Sequence, residues 1–89
     1  MPYIKAGEKE RWEHSLNQLN LSMSIGGITP GDLNYVLTCI VHMYVERKGL
    51  NYTHLNDVVG VFESAKAEFQ RRVVAKYEDE KIALNGDVP

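Results

Sequence analysis

Two consecutive arginines beside aromatic residues are the feature of this sequence best suited to bind a ligand. Arg71 and Arg72 lie in the last third of the chain, between Phe69 and Tyr77. A guanidinium group donates paired hydrogen bonds to a phosphate, and an aromatic ring stacks on a base. This combination is typical of a phosphate or nucleotide site. The alternative is a solvated helix face on which the arginines pair with acidic neighbours, as is common on protein surfaces.

Four further residues are candidates for the same site. A Leu-Asn-Tyr tripeptide occurs twice, once in the first turn of the predicted second helix and once just before the third. Side chains at such junctions leave the core, so we expect them to reach base or ribose edges of a ligand. Because one short chain encloses a ligand poorly, we expect a second subunit to complete the site. The predicted ligand-binding residues are Arg71, Arg72, Tyr77, Asn34, Tyr35, Asn51 and Tyr52.

No catalytic arrangement is recognisable in the sequence. Glycine-rich phosphate loops are absent, and none of the three histidines has a second histidine at helical spacing. Glu63 and the acidic residues 78–80 are the carboxylates available for magnesium chemistry, but Lys66 and Ala67 stand where a second carboxylate is needed. We therefore expect no enzyme activity, no metal site and no cofactor. A small metal-dependent nucleotide hydrolase stays open as an alternative, as does a structural or regulatory subunit that binds only protein.

The spacing of apolar residues predicts three helices, an all-α fold. The first covers about residues 7–19 and is followed by a loop over residues 20–28. The second has a strong start signal, with Thr29 at the N-cap, proline at the first helical position and Asp32 at the third. It ends before Gly49. The third helix is predicted to begin near Thr53, whose hydroxyl can cap it, and to extend to about residue 84.

These helices predict one helical domain over residues 1–89 that assembles with copies of itself. The second helix is apolar around most of its circumference. The third would be about 45 Å long, whereas a globule of this size is about 25–30 Å across. It therefore either breaks near residues 73–74 or packs on another chain. Gly60 and Ser64 also form a small pair that would admit another backbone. We predict a homo-oligomer, at minimum a two-fold dimer.

Charge and composition exclude several classes of partner. The chain has 89 residues, a formal net charge of −2 and one cysteine. DNA-binding and membrane-surface proteins need a basic excess, which is missing here, so we expect neither partner. The longest nearly uncharged run, residues 33–45, is too short to span a bilayer. With an N-terminus that lacks the apolar stretch of a signal peptide, the sequence predicts a cytoplasmic protein.

Several sequence motifs resemble those of one family of small proteins. They are Met1-Pro-Tyr-Ile-Lys5, Gly31-Asp-Leu-Asn-Tyr35, the run from Gly49 to Gly60, Glu63 to Val73, Tyr77 to Ile82, and Asn85-Gly-Asp-Val88. The family, of unknown function, occurs in bacteriophages, prophages and bacteria, and the resemblance covers most of the chain outside residues 6–28. Its members often carry proline where this chain has Lys76.

The resemblance implies a biological setting but no activity. Small acidic phage proteins without catalytic motifs are often binders of host proteins or of nucleotide immune signals. We therefore expect a non-enzymatic, oligomeric binding protein that interferes with host defence. Its partner would be a nucleotide-like small molecule or a host protein, in addition to copies of itself.

Overall fold

The computed structural model describes residues 2–89, and this part of the chain is all-helical with no strand. Its elements are α1 (Ala6–Met23), α2 (Pro30–Lys48), α3 (Tyr52–Phe69), a π-helical segment (Gln70–Val74) and α4 (Ala75–Asn85). Backbone angles at Phe69, Val74 and Ala75 are all right-handed helical, so α3, the π segment and α4 form one continuous helix. The predicted three helices, with a long one at the C-terminus, are confirmed.

The first helix is longer than predicted and ends at Met23 instead of about residue 19. The reason is that Ser22 does not compete with the helix, because its hydroxyl donates back to the Gln18 carbonyl at 3.2 Å. The helix stops one residue later, where the Ser24 hydroxyl donates to the Leu21 carbonyl at 2.6 Å. Gly26, with a φ of +72°, then supplies the left-handed turn toward α2.

The second helix begins and ends as predicted. The Thr29 hydroxyl accepts from the Asp32 backbone N–H at 3.1 Å, and the Asp32 carboxylate accepts from the Thr29 N–H at 2.9 Å. Each side chain thus satisfies a donor that the first helical turn leaves without a partner. At the other end Gly49 closes the helix with a φ of +102°, a conformation that other residues rarely adopt.

The cap of the third helix is Asn51, and the prediction that Thr53 caps it was wrong. The Asn51 side-chain carbonyl accepts from the backbone N–H of His54 at 2.9 Å. Since α3 already begins at Tyr52, Thr53 lies inside the first turn and cannot be the cap. The His54 ring nitrogen Nδ1 lies 2.8 Å from the Gly49 carbonyl oxygen and ties the start of α3 to the end of α2.

The predicted alternative of a helix break near residues 73–74 was also wrong, because the chain stays helical through a π segment there. The residues that explain this segment are Leu55, Phe62, Phe69, Tyr77 and Leu84, here called the heptad row. Their spacing is 7, 7, 8 and 7 residues. In an α-helix eight residues overshoot two turns by about 80°, and a π turn accommodates about one residue more than an α turn. The π segment therefore lies where the spacing has its extra residue, and it keeps the row on one side of the helix.

Within the described residues two compact units can be distinguished, Tyr3–His54 and Leu55–Pro89, the second together with Pro2. In the first unit α1 and α2 do not pack against each other along their described lengths. No side chain of residues 2–89 is buried, and large apolar residues such as Trp12, Ile40 and Phe69 are exposed. Apolar burial is the main source of folding free energy. The described chain thus shows helices without a core of their own.

Candidate functional site

The two arginines of the predicted site lie in the π segment and converge on one carboxylate. Arg71 Nη2 donates to Glu68 Oε1 at 2.8 Å, and Arg72 Nε lies 3.6 Å from the same oxygen. The guanidinium side chains are 67% and 59% exposed, whereas that of Glu68 is only 18% exposed. The pairing of the arginines with acidic neighbours, the alternative that the sequence left open, is thus present with Glu68 as the partner of both.

This cluster of Glu68, Arg71 and Arg72 has a formal charge of +1, because one carboxylate faces two guanidinium groups. Ion pairs in which the guanidinium groups are mostly exposed, as here, contribute about 0–1 kcal/mol, so the carboxylate is a weak competitor for the arginines. A phosphate offers more acceptor oxygens and more charge than a carboxylate. Chemically, the cluster is suited to exchange Glu68 for an external anion without rebuilding the helix.

Tyr77 lies in the first turn of α4 and already has a cation on its ring. The ammonium group of Lys81 sits 5.3 Å from the ring centroid, within the range of a cation–π contact. Lys81 is not among the predicted site residues, although its position four residues after Tyr77 on a helix is the signal for such a contact. A ligand that stacks on Tyr77 would share the ring with this lysine or displace it.

The candidates at the start of α2 have partners within that helix. The Asn34 backbone carbonyl accepts from the Thr38 hydroxyl at 2.8 Å. Tyr35 forms a hydrogen bond with Cys39, one helical turn further along α2. This hydrogen bond raises the pKa of the Tyr35 hydroxyl above its ordinary value, and the negative charge of an ionised Cys39 adds to the effect.

The candidates at the start of α3 have different surroundings. Asn51 is the cap described above, so its side-chain oxygen is occupied by the helix. Tyr52, the first residue of α3, is 86% exposed. Of this pair, Tyr52 presents an exposed aromatic ring. Capping of α3 is by itself a sufficient reason for an asparagine at position 51.

The seven predicted site residues form two groups, one in each unit. Arg71 and Arg72 are brought together through Glu68, with Tyr77 in the following turn. The other four flank α2 in residues 3–54. Whether one ligand contacts both groups stays a prediction.

Other features of the described residues do not form a recognisable site. Two shallow surface depressions are lined by α1 and its C-terminal cap Ser24, the larger of about 540 Å³ along Asn17–Ser24. Nowhere in residues 2–89 do three His, Cys, Asp or Glu side chains come close enough to hold a metal ion. None of the helices described is both long and apolar enough to cross a bilayer.

Comparison with known proteins gives one match. A family model described as "Domain of unknown function (DUF6899)" matches residues 1–88 of the chain. No curated protein and no solved structure matches it.

Proposed function

We propose that this chain, which belongs to the DUF6899 family of unknown function, is a non-enzymatic binding protein that works as a homo-oligomer. The proposed ligand is a nucleotide-like anion held by Arg71 and Arg72. The observation that carries the proposal is the pair of exposed guanidinium groups that converge on the Glu68 carboxylate.

The position of the arginines in a π segment supports this assignment. Such segments occur frequently at functional sites, because the locally wider turn displaces side chains from their regular helical positions. Here both cationic side chains of the site lie within the five residues of Gln70–Val74. Tyr77 and Lys81, one turn beyond, offer an aromatic surface and a further positive charge for a base and its phosphates.

The homo-oligomer is supported by the exposure of apolar residues on each helix. Ordering one residue costs about 1–2 kcal/mol of conformational entropy, which a soluble fold offsets mainly by burying apolar surface. The described helices bury no side chain by themselves. Copies of the same chain can cover such surfaces, as in obligate homodimers with strongly apolar interfaces.

The biological role that this proposal includes is interference with host defence. Its support is the resemblance to small bacteriophage proteins set out above. A binder of this kind would sequester a nucleotide-like signal, and the same protein would act on a host protein if no nucleotide binds. Interference with host defence depends on which molecule the protein binds and not on its fold, so binding is tested separately from assembly.

The experiment combines mass determination with ligand screening of the wild-type chain. Light scattering at micromolar concentration should give a mass of at least two chains of 10.1 kDa each. Thermal-shift measurements against linear and cyclic nucleotides, with and without Mg²⁺, should reveal a ligand that raises the melting temperature without being consumed. The expected readout is stabilisation with unchanged nucleotide by chromatography.

Other outcomes would replace the proposal. Magnesium-dependent turnover of a nucleotide would establish the hydrolase instead. Absence of both stabilisation and turnover over the whole panel would remove the nucleotide ligand. A mass of one chain would remove the homo-oligomer.

A further inference from the structure

We infer that the heptad row is the interface between two copies of the chain, which pair antiparallel with their two-fold axis beside Ala65 and Lys66. This inference rests on the homo-oligomer of the proposed function and adds to it the surface, the partner and the direction of pairing. The row belongs to the unit Leu55–Pro89 and was defined above by its spacing.

The first argument is that the row is built for a helix as its partner. Repeats of seven residues place apolar side chains along one side of a helix, where a second helix can interdigitate with them. Val58, Ala65 and Val73 fill the positions between the members of the row. The single irregularity, eight residues from Phe69 to Tyr77, coincides with the π segment. If only solvent or a small ligand covered this side of the helix, the apolar row would not need to keep one direction along it.

The second argument is that members of the row are exposed residues. Phe62, Phe69 and Tyr77 are 44%, 58% and 58% exposed, and Leu84 is exposed still further. Aromatic side chains contribute most to interfaces because each can bury about 150–250 Å². Three of them lie on one side of one helix, and aromatic residues are enriched among those that contribute most to binding at interfaces.

The third argument is charge, and it decides the direction of pairing. Residues 55–65 carry a formal charge of −2, and residues 66–77 carry +3. Parallel pairing would place each of these segments against its own copy, which is repulsive. Antiparallel pairing about residue 66 places the acidic segment of one copy against the basic segment of the other, which is attractive.

The fourth argument is that the apolar residues match under the same symmetry. An axis beside Ala65 and Lys66 brings Leu55 of one copy level with Tyr77 of the other, and Phe62 level with Phe69. Val58 is level with Val73 in the same way. Apolar side chains thus face apolar side chains from Leu55 to Tyr77, while Leu84 lies beyond the paired segment, and the small Ala65 lies where the two helices cross most closely.

The experiment uses disulfide formation between copies of the full-length chain. Cys39 is first replaced, as Cys39→Ala, so that an introduced cysteine has no other partner. Ala65→Cys is compared with Ala67→Cys, because both alanines are exposed residues of α3 and the two positions are about 160° apart around the helix. Under mild oxidation by a glutathione buffer, Ala65→Cys should give mostly a species of twice the 10.1 kDa chain mass. Ala67→Cys should give several-fold less of this crosslinked species.

A second pair of variants tests the direction. Leu55→Cys and Tyr77→Cys should crosslink weakly alone and strongly when the two proteins are mixed and allowed to exchange. Strong crosslinking of each with itself would mean parallel pairing and would overturn the inference. Equal crosslinking of Ala65→Cys and Ala67→Cys, or none by either, would also overturn it.

Failure of this interface is distinguishable from failure of the homo-oligomer. The mass of the wild-type chain is measured first, and circular dichroism verifies that each variant is as helical as the wild type. A wild-type dimer without the Ala65→Cys crosslink removes the heptad row as the interface and leaves the homo-oligomer in place. A wild-type monomer removes both.

Discussion

Phe69 and Tyr77 lie eight residues apart, and the π segment between them gives them the angular relationship that seven residues have in an α-helix. The relationship matters because it decides whether α4 continues the apolar side of α3. With a regular α-helix, Tyr77 and Leu84 would be rotated by about 80° away from Phe69.

The first prediction follows from this relationship. Deleting Gln70 removes the extra residue, so the spacing becomes seven throughout and the segment should become α-helical with the assembly retained. Inserting one alanine after Gln70 should instead rotate α4 by about 100° and weaken the assembly. Sedimentation over a concentration series measures the assembly of both variants, and circular dichroism measures their helix content. Equal dissociation of the two variants would show that the π segment has another purpose.

The second prediction compares two neighbouring apolar residues of α3. Phe62 belongs to the heptad row and is 44% exposed, while Val61 lies beside the row and is 63% exposed. Burying a phenylalanine contributes about 1.5–3 kcal/mol, and a two-fold dimer contains two of them. Phe62→Glu should therefore raise the dissociation constant by about 100-fold or more, whereas Val61→Glu should change it by less than about tenfold. A larger effect of Val61→Glu would move the interface to another side of the helix.

The helices were largely predictable from the sequence, because their signals are local. Thr29 and Asp32 formed the predicted capping box, and the glycine at position 49 ended α2 as expected. The errors arose where two local signals competed. Asn51 and Thr53 are both good caps, and the side chain of Asn51 is the one that reaches the His54 N–H.

The candidate site was less predictable, because Glu68 has helical spacing to both arginines, and spacing alone does not decide which of them it pairs with. Positions 68 and 72 suggest one ion pair at helical spacing, but the convergence of both arginines on Glu68 occurs at the edge of a π segment. The signal for that segment was present in the eight residues between Phe69 and Tyr77, within a row otherwise spaced by seven. It becomes visible only when the helix is analysed as a heptad pattern.

A third prediction concerns Gly60, which lies in the interior of α3. A Cβ atom added there meets nothing within 4 Å, so the chain itself leaves room for a side chain. Gly60→Ala should therefore stabilise the helix by about 0.5–1 kcal/mol and leave the assembly unchanged. Urea denaturation measures the change in stability, and light scattering measures whether the assembly is unchanged. If the assembly weakens instead, the partner backbone approaches at Gly60 and Ser64, as the small residues there first suggested.

The fourth prediction concerns the cap of α3. Asn51→Ala should lower the free energy of unfolding by about 1 kcal/mol, because the His54 N–H loses its acceptor. Thr53→Ala, which removes the hydroxyl that the sequence suggested as a cap, should change it by less than about 0.5 kcal/mol. Denaturant unfolding at one fixed protein concentration gives both values, since the concentration affects an oligomer's stability. Equal losses would show that the Asn51 contact is not the cap in solution.

The fifth prediction concerns the arginine pair and a nucleotide found by the thermal-shift screen. Each charge-assisted contact to a phosphate contributes about 1.5–3 kcal/mol, so Arg71→Ala and Arg72→Ala should each weaken binding by about 10- to 100-fold. Lys76→Ala is the matched control, because it removes one positive charge from the same helix without belonging to either ion pair. Calorimetric titration of variants with the wild-type oligomeric mass is the measurement. Unchanged affinity in both arginine variants would place the ligand elsewhere.

The same titration with Glu68→Gln distinguishes a ligand site from a solvated ion-pair cluster. If an anion replaces Glu68 between the arginines, removing the carboxylate charge eliminates its competitor, and the affinity should rise by about two- to fivefold. If the arginines only pair with Glu68, the substitution should leave nucleotide affinity unchanged and cost under about 1 kcal/mol of stability. The increase should also shrink at high salt, since exposed charges are screened over about 10 Å at 0.1 M ionic strength. A gain in affinity from Glu68→Gln, together with losses from both arginine variants, is the pattern that a phosphate site in the π segment requires.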